Sequence, residues 1–341
     1  MNLSDFDYDL PESFIAQTPL EPRDASRLMV MNRNDGTLTH AAFRDLPSYL
    51  RPGDVLIFND TRVIPARLFG AKADTGGRVE LLMLKRRAPL VWEVLIGGKA
   101  HVGTVLNIEG RMGLEAVVMQ EFGGARRLMQ FSQPITPLLE QVGHVPLPPY
   151  IHASLANPER YQTIYAKVSG SAAAPTAGLH FTPELLAKLM AMDVQLGYVT
   201  LHIGLDTFAP VKEEQVEEHP MHGEWCEVAE DTASLVNTAK HERRRVIAVG
   251  TSAVRTLESA QQGAQGGETI AEMSGMTDLY ILPGHPFRVV DAMITNFHLP
   301  RSTLVMLVSA FAGREKILAA YEEAKRQGYR FYSFGDAMLI L

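Results

Sequence analysis

The feature that most constrains the fold is a change of pattern that begins at Val63. From there to about residue 131, short runs of alternating apolar and polar residues follow one another at roughly ten-residue spacing. Each run is bounded by Gly, Pro or a charged turn, and no helical period separates the runs. Five or six short strands in succession predict a small antiparallel β-barrel. The runs span residues 78–84, 90–96, 104–108, 113–119 and 125–131.

The segments on either side of this region alternate strands with helices. Residues 54–58 and 246–250 are apolar runs typical of buried strands, and Thr182-Pro183 begins a helix with an N-cap hydroxyl and a first-turn proline. A helix over residues 232–240 is predicted to be capped by Asp231. Such alternation predicts an α/β domain. We therefore predict an α/β main domain formed by both ends of the chain, residues 1–62 and 151–341, with a small antiparallel β-barrel domain inserted as residues 63–150.

Composition restricts the class of protein. The 341 residues are 46% apolar and 21% charged, which favours a folded chain with room for two domains. The single cysteine, Cys226, excludes a disulfide within the chain and an all-cysteine metal site. The acidic N-terminus lacks the pattern of a signal peptide, and the longest apolar stretch is too short to span a bilayer. We expect a cytoplasmic protein that does not bind a membrane.

The charge balance leaves a nucleic-acid partner open. A net charge of −7 argues only weakly against a polyanion, because a local basic face can bind nucleic acid on an acidic protein. Basic triplets lie at residues 85–87 and 243–245, although charge runs are most often solvated faces. Arg62, Arg67 and Arg301 are further basic candidates.

The stretch from Thr277 to Gly313 predicts a site at the edge of a sheet. Two apolar runs, residues 279–282 and 289–294, each end in a polar, kinked segment. The first is followed by Pro283-Gly284 and the second by Thr295-Asn296-Phe297-His298, before Ser302 begins a helix. Buried strands supply rigidity and the loops after them supply donors and acceptors, so we expect binding residues here.

Two further segments carry groups that bind anions or move protons. The turn Gly250-Thr251-Ser252 is either a cradle for a phosphate or carboxylate or a plain strand–helix turn, since it lacks both glycine-rich nucleotide signatures. Arg255 either pairs with Glu258 on the helix surface or reaches back to hold a carboxylate. In the segment 172–181, small residues precede His180, which is either a proton-transfer group or a packing residue.

The third segment is rich in histidine. His219, His222 and Glu224 invite a zinc interpretation, but Pro220 prevents a regular helical face and the spacing is not that of a helical zinc motif. We predict no metal. Glu224 as an acid or base and Trp225 as a stacking plate for a base fit the segment better.

These motifs resemble those of one family, S-adenosylmethionine:tRNA ribosyltransferase-isomerases of queuosine biosynthesis. The pair APTAGLHFT and ITNFHLPRSTL is the most specific part of the resemblance, which extends from Asp5 to Leu341. Three segments depart from the pattern usual in the family: Thr251-Ser252-Ala253-Val254-Arg255 stands where TTSVR is usual, Gly223 and Cys226 flank Glu224-Trp225, and His285 follows Pro283-Gly284. Further matching segments are FNDTRVIPARLFG, LHIGLDTFAPV, HPMHGEW, VGTSAVRTLES and YRFYSFGDAMLIL.

The resemblance implies an activity. It predicts transfer and isomerisation of the ribosyl part of S-adenosylmethionine onto the aminomethyl group of a deazaguanine at the tRNA wobble position, with release of adenine and methionine. The donor is consumed as a substrate, so no separate cofactor is expected. The partners are this tRNA and S-adenosylmethionine, and the chain is expected to act as a monomer. An α/β domain with an inserted barrel is also what the resemblance implies.

The reaction requires a base next to the sulfonium, an acid for the departing adenine, and groups that orient oxygens. Alternatives to this enzyme are a non-catalytic RNA-binding protein and an S-adenosylmethionine-dependent RNA methyltransferase. Candidate catalytic residues are His180, Glu224, Asp278, His298 and His202. Candidate substrate-binding residues are Thr176, Phe181, Trp225, Thr251, Arg255, Thr295, Asn296, Pro283 and Gly284, and candidate tRNA contacts are Arg62, Arg67 and Arg301.

Overall fold

A computed structural model describes residues 1–153, 155–204 and 211–341 of the chain. The chain forms two compact units. The main unit comprises Met1–Arg62, Pro149–Val168 and Ala174–Leu341, and the barrel unit comprises Val63–Pro148 and Ser169–Ala173. Within the described ranges, no helix is long and apolar enough to cross a membrane.

The fold class predicted from the sequence is confirmed: a large mixed sheet with helices is built from both ends of the chain, and a closed antiparallel barrel is inserted. The predicted domain limits stay a prediction, and the compact units depart from them by placing residues 149–150 in the main unit and 169–173 in the barrel unit. The strands are β1 (Arg27–Met31), β2 (Leu38–Ala42), β3 (Val55–Asn59), β4 (Thr61–Val63), β5 (Arg67–Lys72), β6 (Arg78–Ala88), β7 (Val91–Gly97), β8 (Val105–Ile108), β9 (Glu115–Glu121), β10 (Arg126–Phe131), β11 (Val168–Ser171), β12 (Gln195–Leu201), β13 (Glu224–Val228), β14 (Val246–Val249), β15 (Met273–Thr277), β16 (Ala292–Asn296) and β17 (Ala337–Ile340). The α-helices are α1 (Leu139–Val142), α2 (Pro183–Ala191), α3 (Glu230–His241), α4 (Thr251–Ala260), α5 (Thr303–Ala312) and α6 (Arg314–Arg326).

The main unit is organised around a nine-stranded sheet in the order β15-β13-β12-β3-β14-β16-β17-β1-β2. Its centre, β12-β3-β14-β16, is parallel. Because parallel strands end at the same edge, the residues after β12, β14 and β16 lie together there. Side chains of β3 alternate between two apolar cores: Val55 and Ile57 pack on one face, and Leu56 and Phe58 on the other. Burial on both faces explains why these strands are continuous apolar runs.

The barrel unit closes in the order β10-β7-β6-β5-β8-β9, with every pair antiparallel. Alternate residues such as Leu81, Val94 and Leu106 are fully buried inside it. The strand not singled out from the sequence, β5, completes the closure. Its pattern is weak because Gly70 interrupts it, where an added Cβ would meet the Asn107 carbonyl oxygen at 2.9 Å.

Several predicted element limits are wrong, and in one case buried hydrogen bonds explain why. The apolar run 279–282 is not a strand; the edge strand is β15, a polar stretch before it. The run 289–294 begins too early, since the Glu258 carboxylate accepts the backbone N–H groups of Val289 and Val290 at 3.1 Å each, and β16 starts only after them. Helix α3 starts at Glu230 after Ala229, so Asp231 is not its cap.

Candidate active site

A cavity of about 670 Å³, counted to its open mouth, lies in the main unit where the parallel strands end. Its wall contains Leu201 and Ile203 at the end of β12, the turn from β14 into α4, and residues 295–298 at the end of β16. Gly250 makes the turn possible, because its backbone has φ +91°, a conformation that side chains other than glycine rarely adopt. The cavity therefore occupies the position at which open α/β sheets bind their ligands.

A buried ion pair forms one side of the cavity. The guanidinium of Arg255, on α4, contacts Glu224 Oε2 through Nη1, and both residues are about 5% exposed or less. Glu224 Oε1 also accepts the backbone N–H of Gly204 at 2.7 Å, and Arg255 Nε donates to the Leu279 carbonyl at 3.1 Å. Arg255 and Glu258 are therefore not a surface pair: both are buried and bind other partners.

One donor of this pair is unused. Arg255 Nη2 is buried, and the described part of the chain offers it no hydrogen-bond partner. A buried guanidinium N–H without an acceptor costs about 1–3 kcal/mol or more, so such a group in a cavity wall marks the place of a ligand acceptor. A carboxylate is the acceptor that best fits a guanidinium.

A hydrogen-bonded chain of side chains forms another part of the wall. Thr176 Oγ1 donates to Asn296 Oδ1 at 3.0 Å, and Asn296 Nδ2 lies 3.1 Å from His180 Nε2. With the amide in this orientation, Nε2 accepts, and Nδ1–H donates to Ser26 Oγ at 2.8 Å. Burial, with Arg330 and Arg23 nearby, lowers the pKa of His180 to about 3, so the ring is neutral. His180 thus orients Asn296 from behind and does not itself line the cavity.

A second neutral histidine faces the cavity. His298 Nε2 lies 2.8 Å from Thr295 Oγ1, and its backbone N–H donates to the Tyr321 hydroxyl at 3.1 Å. Its carbonyl accepts from the Tyr8 hydroxyl. Burial lowers the pKa of His298 to about 3. The ring is therefore unprotonated and fixed in place, able to accept a proton or share a hydrogen bond.

Two tyrosines in the wall were missed by the sequence interpretation. Tyr332 has φ +72°, an uncommon value for a bulky residue, and its ring meets that of Tyr150 edge-on with centroids 4.0 Å apart. The Tyr150 hydroxyl is 2.5 Å from Ser333 Oγ. For Tyr332, the sequence offers only a polar, aromatic segment around Gly335, which does not single out any residue.

The structure brings seven predicted residues together and leaves the others elsewhere. Those that line the cavity are Thr176, Glu224, Thr251, Arg255, Thr295, Asn296 and His298. The predicted residues outside its wall are His180, Phe181, His202, Trp225, Asp278, Pro283 and Gly284.

The positions of the outlying aromatic and acidic residues have physical reasons. Phe181 is fully buried and packs edge-on against Phe43 and Phe58, so it has no face for a ligand. His202 stacks on Trp225 with centroids 5.1 Å apart and is 2.7 Å from Thr61 Oγ1 through Nδ1; burial lowers its pKa. Asp278 and Gly284 are exposed, and Pro283 lies beside Gly284 in the same loop.

The three predicted tRNA contacts each have an acidic neighbour. Arg62 lies 2.6 Å from Glu159, and Arg301 contacts Asp7, both pairs within the main unit. Arg67 pairs with Glu80 at 3.0 Å within the barrel unit. Their role in tRNA binding stays a prediction.

The histidine-rich segment is divided among different partners. His219 lies 2.7 Å from Glu213, whereas Glu224 forms its ion pair with Arg255. Within residues 1–153, 155–204 and 211–341, no group of three or more His, Cys, Asp or Glu side chains could hold a metal ion. Cys226 is buried, which raises the pKa of its thiol to about 11, and His285 packs edge-on against Phe287.

Comparison with known proteins decides the family. A profile described as "Queuosine biosynthesis protein" matches residues 3–340. Two similar proteins, each named S-adenosylmethionine:tRNA ribosyltransferase-isomerase, come from Moorella thermoacetica and Carboxydothermus hydrogenoformans. They are 54% and 55% identical and are aligned over 100% of both chains. The chain belongs to the S-adenosylmethionine:tRNA ribosyltransferase-isomerase family.

A solved structure agrees with this assignment. The crystal structure of S-adenosylmethionine tRNA ribosyltransferase from Thermotoga maritima is 39% identical, with a TM-score of 0.58, over 99% of this chain and 100% of that one. The resemblance inferred from the motifs is thus confirmed. Family membership also confirms the predicted enzyme class and favours it over a non-catalytic RNA binder and an RNA methyltransferase.

Proposed function

We propose that this chain transfers and isomerises the ribosyl moiety of S-adenosylmethionine onto the aminomethyl group of 7-aminomethyl-7-deazaguanine at the tRNA wobble position. The products are epoxyqueuosine-tRNA, adenine and methionine. The observation that carries the proposal for this cavity is the buried Arg255–Glu224 pair, in which Arg255 Nη2 has no hydrogen-bond partner among the described residues, together with neutral His298 in the same wall. A sulfonium-bearing amino-acid donor has a carboxylate suited to the first and a proton beside the sulfonium suited to the second.

Arg255 is proposed to hold the methionine carboxylate of the donor. Its Nη2 supplies a donor that lacks a protein partner within the described ranges, and Glu224 fixes the guanidinium plane from the other side. Because both groups are buried, a carboxylate placed there forms a charge-assisted hydrogen bond shielded from water. Thr251, at the first position of α4, adds a hydroxyl and a backbone N–H at the helix start, where backbone donors have no partner within the helix.

His298 is proposed as the proton-transfer group closest to the sulfonium. The imidazole is unprotonated, which is the form in which a general base acts, and Thr295 holds it in one orientation. Its low pKa makes it a weak base, so the proton it takes must be one that the adjacent sulfonium acidifies. Asn296 and Thr176 present amide and hydroxyl groups to ribose oxygens, with His180 fixing the amide. Glu224 is the second ionisable side chain at hand for proton transfer.

No separate cofactor is proposed, because the donor supplies the transferred group and the leaving groups. The substrates are tRNA that carries the deazaguanine and S-adenosylmethionine, and we propose that the chain works as a monomer on cytoplasmic tRNA. Size-exclusion chromatography of the purified protein, with and without tRNA, tests whether the chain is a monomer.

Analysis of small products tests the function. The protein is incubated with S-adenosylmethionine and tRNA bearing the aminomethyl-deazaguanine. Adenine and methionine in equal amounts support ribosyl transfer. S-adenosylhomocysteine indicates methyl transfer instead, and the absence of any product together with tRNA binding indicates a binding protein.

A further inference from the structure

A second cavity, of about 280 Å³ counted to its open mouth, lies in the main unit beside the first. Three arginines from separate segments of the chain line it, together with His180 and Ser333; they are Arg23, Arg160 and Arg330. We call it the arginine cavity. None of these arginines was singled out from the sequence, because they are far apart in the chain and stand alone.

The arginines are oriented mainly by neutral groups. Arg23 donates to the carbonyls of Gln162 and Leu179 at 2.9 and 3.3 Å, and Arg160 donates to that of Leu20 at 2.5 Å. Arg330 Nη1 donates to the Thr18 carbonyl at 3.2 Å. Backbone carbonyls fix a guanidinium in place but do not cancel its charge, so the arrangement holds positive charge in a fixed geometry.

Three carboxylates lie near these arginines and compensate them only in part; one of them, Glu159, pairs with Arg62 at 2.6 Å. Glu21 lies 3.2 Å from Arg160, but its side chain is 77% exposed, which weakens the pair. Asp336 lies 3.8 Å from Arg330 Nη2, too far for a hydrogen bond, and its oxygens accept backbone N–H groups of Arg27 and Arg330. Burial and the neighbouring Arg160 lower the pKa of Arg23, which is consistent with an excess of positive charge.

The first cavity, which contains Arg255 and His298, is called the reaction cavity. The arginine cavity adjoins it through two residues. Ser333 lines both cavities. His180 lines the arginine cavity with its ring and contacts Asn296, which lines the reaction cavity. The two cavities therefore share Ser333 and are joined by the hydrogen bond between His180 and Asn296.

We propose that the arginine cavity binds a backbone phosphate of the tRNA next to the nucleotide that is modified. This inference rests on the proposed function. Guanidinium groups bind phosphate oxygens in pairs and neutralise their charge, and phosphate contacts of this kind fix the register of a nucleic acid on a protein. On a chain with net charge −7, an isolated basic cavity beside the active site also gives the polyanion a defined place to bind.

Salt dependence of tRNA binding tests the proposal. Arg160→Gln and Arg330→Gln each remove one phosphate contact, so the slope of log affinity against log salt should become shallower by about 0.7–0.9, with affinity at low salt weaker by roughly tenfold. The matched control is Arg326→Gln, which removes the same charge from an exposed position on α6 paired with Glu323. It should keep the wild-type slope. The probe is tRNA carrying the aminomethyl-deazaguanine.

Four outcomes separate the interpretations. Wild-type slopes and affinities in folded Arg160→Gln and Arg330→Gln overturn the proposal. So does a rise in the KM for S-adenosylmethionine with tRNA binding unchanged, because the anion held would then be the donor carboxylate.

If either Gln variant melts far below the wild type, Arg160→Lys and Arg330→Lys replace the Gln variants. Lysine keeps the charge but lacks the paired donors of a guanidinium. The Lys variants should keep the slope and bind tRNA roughly threefold more weakly, and unchanged binding in both overturns the proposal.

Failure of the proposed function is distinguishable from failure of this site. If the wild-type protein releases no adenine or methionine but its tRNA salt slope still depends on Arg160 and Arg330, the phosphate site stands and the reaction does not. If adenine is released and the slope is insensitive to both arginines, the reaction stands and the phosphate site does not.

Discussion

At the scale of single residues, the unused nitrogen of Arg255 is the most informative atom of the site. Arginine at a buried position normally has all its donors satisfied, and here the rest of the guanidinium is committed to Glu224 and Leu279. The sequence indicated that Arg255 holds a carboxylate or pairs with Glu258. Only the structure shows that the protein carboxylate is Glu224, because the two positions are 31 residues apart.

We predict that Arg255→Lys weakens donor binding specifically. Lysine keeps the charge beside Glu224 but has no second nitrogen in the guanidinium plane, so one charge-assisted hydrogen bond is lost. The KM for S-adenosylmethionine should rise by roughly 10- to 100-fold, corresponding to about 1.5–3 kcal/mol. The dissociation constant for tRNA should be unchanged. Arg288→Lys, at an exposed position, is the control; an unchanged KM in Arg255→Lys would remove this residue from donor binding.

We predict that His298 makes the free energy of unfolding depend on pH. The pKa of His298 is about 3 in the folded chain and about 6.5 when unfolded, so below pH 6.5 the unfolded chain binds a proton that the native chain does not. The stability that the neutral imidazole contributes is fully present above about pH 6.5 and is lost as the pH falls from there toward about 3. Between about pH 7 and pH 4, the free energy of unfolding should fall by about 3 kcal/mol less in His298→Gln than in the wild type. Denaturant titrations at both pH values measure this.

The control for that experiment is His241→Gln, an exposed position at the end of α3. It should follow the wild-type pH dependence. Equal pH dependence in His298→Gln and the wild type would contradict a neutral, buried imidazole at this position.

At the scale of elements, the turn from β14 into α4 positions Thr251, Ser252 and Arg255 together. Gly250 permits the turn, and an added Cβ would meet only ordinary contacts, with Ala177 Cβ at 3.6 Å and Ser252 Oγ at 3.7 Å. The demand for glycine therefore comes from the backbone conformation and not from crowding.

We predict that Gly250→Ala destabilises the chain by about 1–2 kcal/mol, the cost of a left-handed conformation for a residue with a Cβ. It should also raise the KM for S-adenosylmethionine by shifting the start of α4. Gly275→Ala is the matched control, because this edge-strand glycine has no atom within 4 Å of an added Cβ and no positive φ. Chemical denaturation measures the free energy of unfolding of both variants and the wild type. A Gly250→Ala variant as stable as the wild type would show that the turn tolerates alanine.

The elements also show how far a sequence predicts a fold. Periodicity found five of the six barrel strands and the buried strand β3, because a repeat of two and a repeat of 3.6 are local properties. It missed where β16 begins, because the Glu258 carboxylate, some 30 residues earlier, binds the backbone that precedes the strand. It missed the edge strand β15 because Ser274 and Gly275 lack the apolar signal of a buried strand.

The site was predictable only in part, for the same reason. Polar residues at the ends of buried strands, such as Thr295, Asn296 and His298, were found because strand ends are visible in the sequence. The hydrogen bond of Asn296 to Thr176 joins residues 120 apart, and the strained backbone of Tyr332 has no sequence signature. Tertiary packing decides such contacts.

At the scale of the whole molecule, charge is divided unevenly between the two units. The barrel unit has ten Lys and Arg against seven Asp and Glu, whereas the rest of the chain has 22 against 32. A net charge of −7 therefore conceals a basic barrel and an acidic main unit. tRNA binding by such a molecule depends on local basic sites and should weaken steeply as salt rises.

The most direct test of the account is the rate of adenine release in a single turnover. The preformed complex of protein and precursor tRNA is mixed with saturating S-adenosylmethionine, and wild type, His298→Gln and the control His241→Gln are compared. The account predicts that His298→Gln slows adenine release at least about 100-fold with unchanged tRNA affinity, as expected for loss of a proton-transfer group, while His241→Gln matches the wild type. A wild-type rate of adenine release in His298→Gln would contradict it.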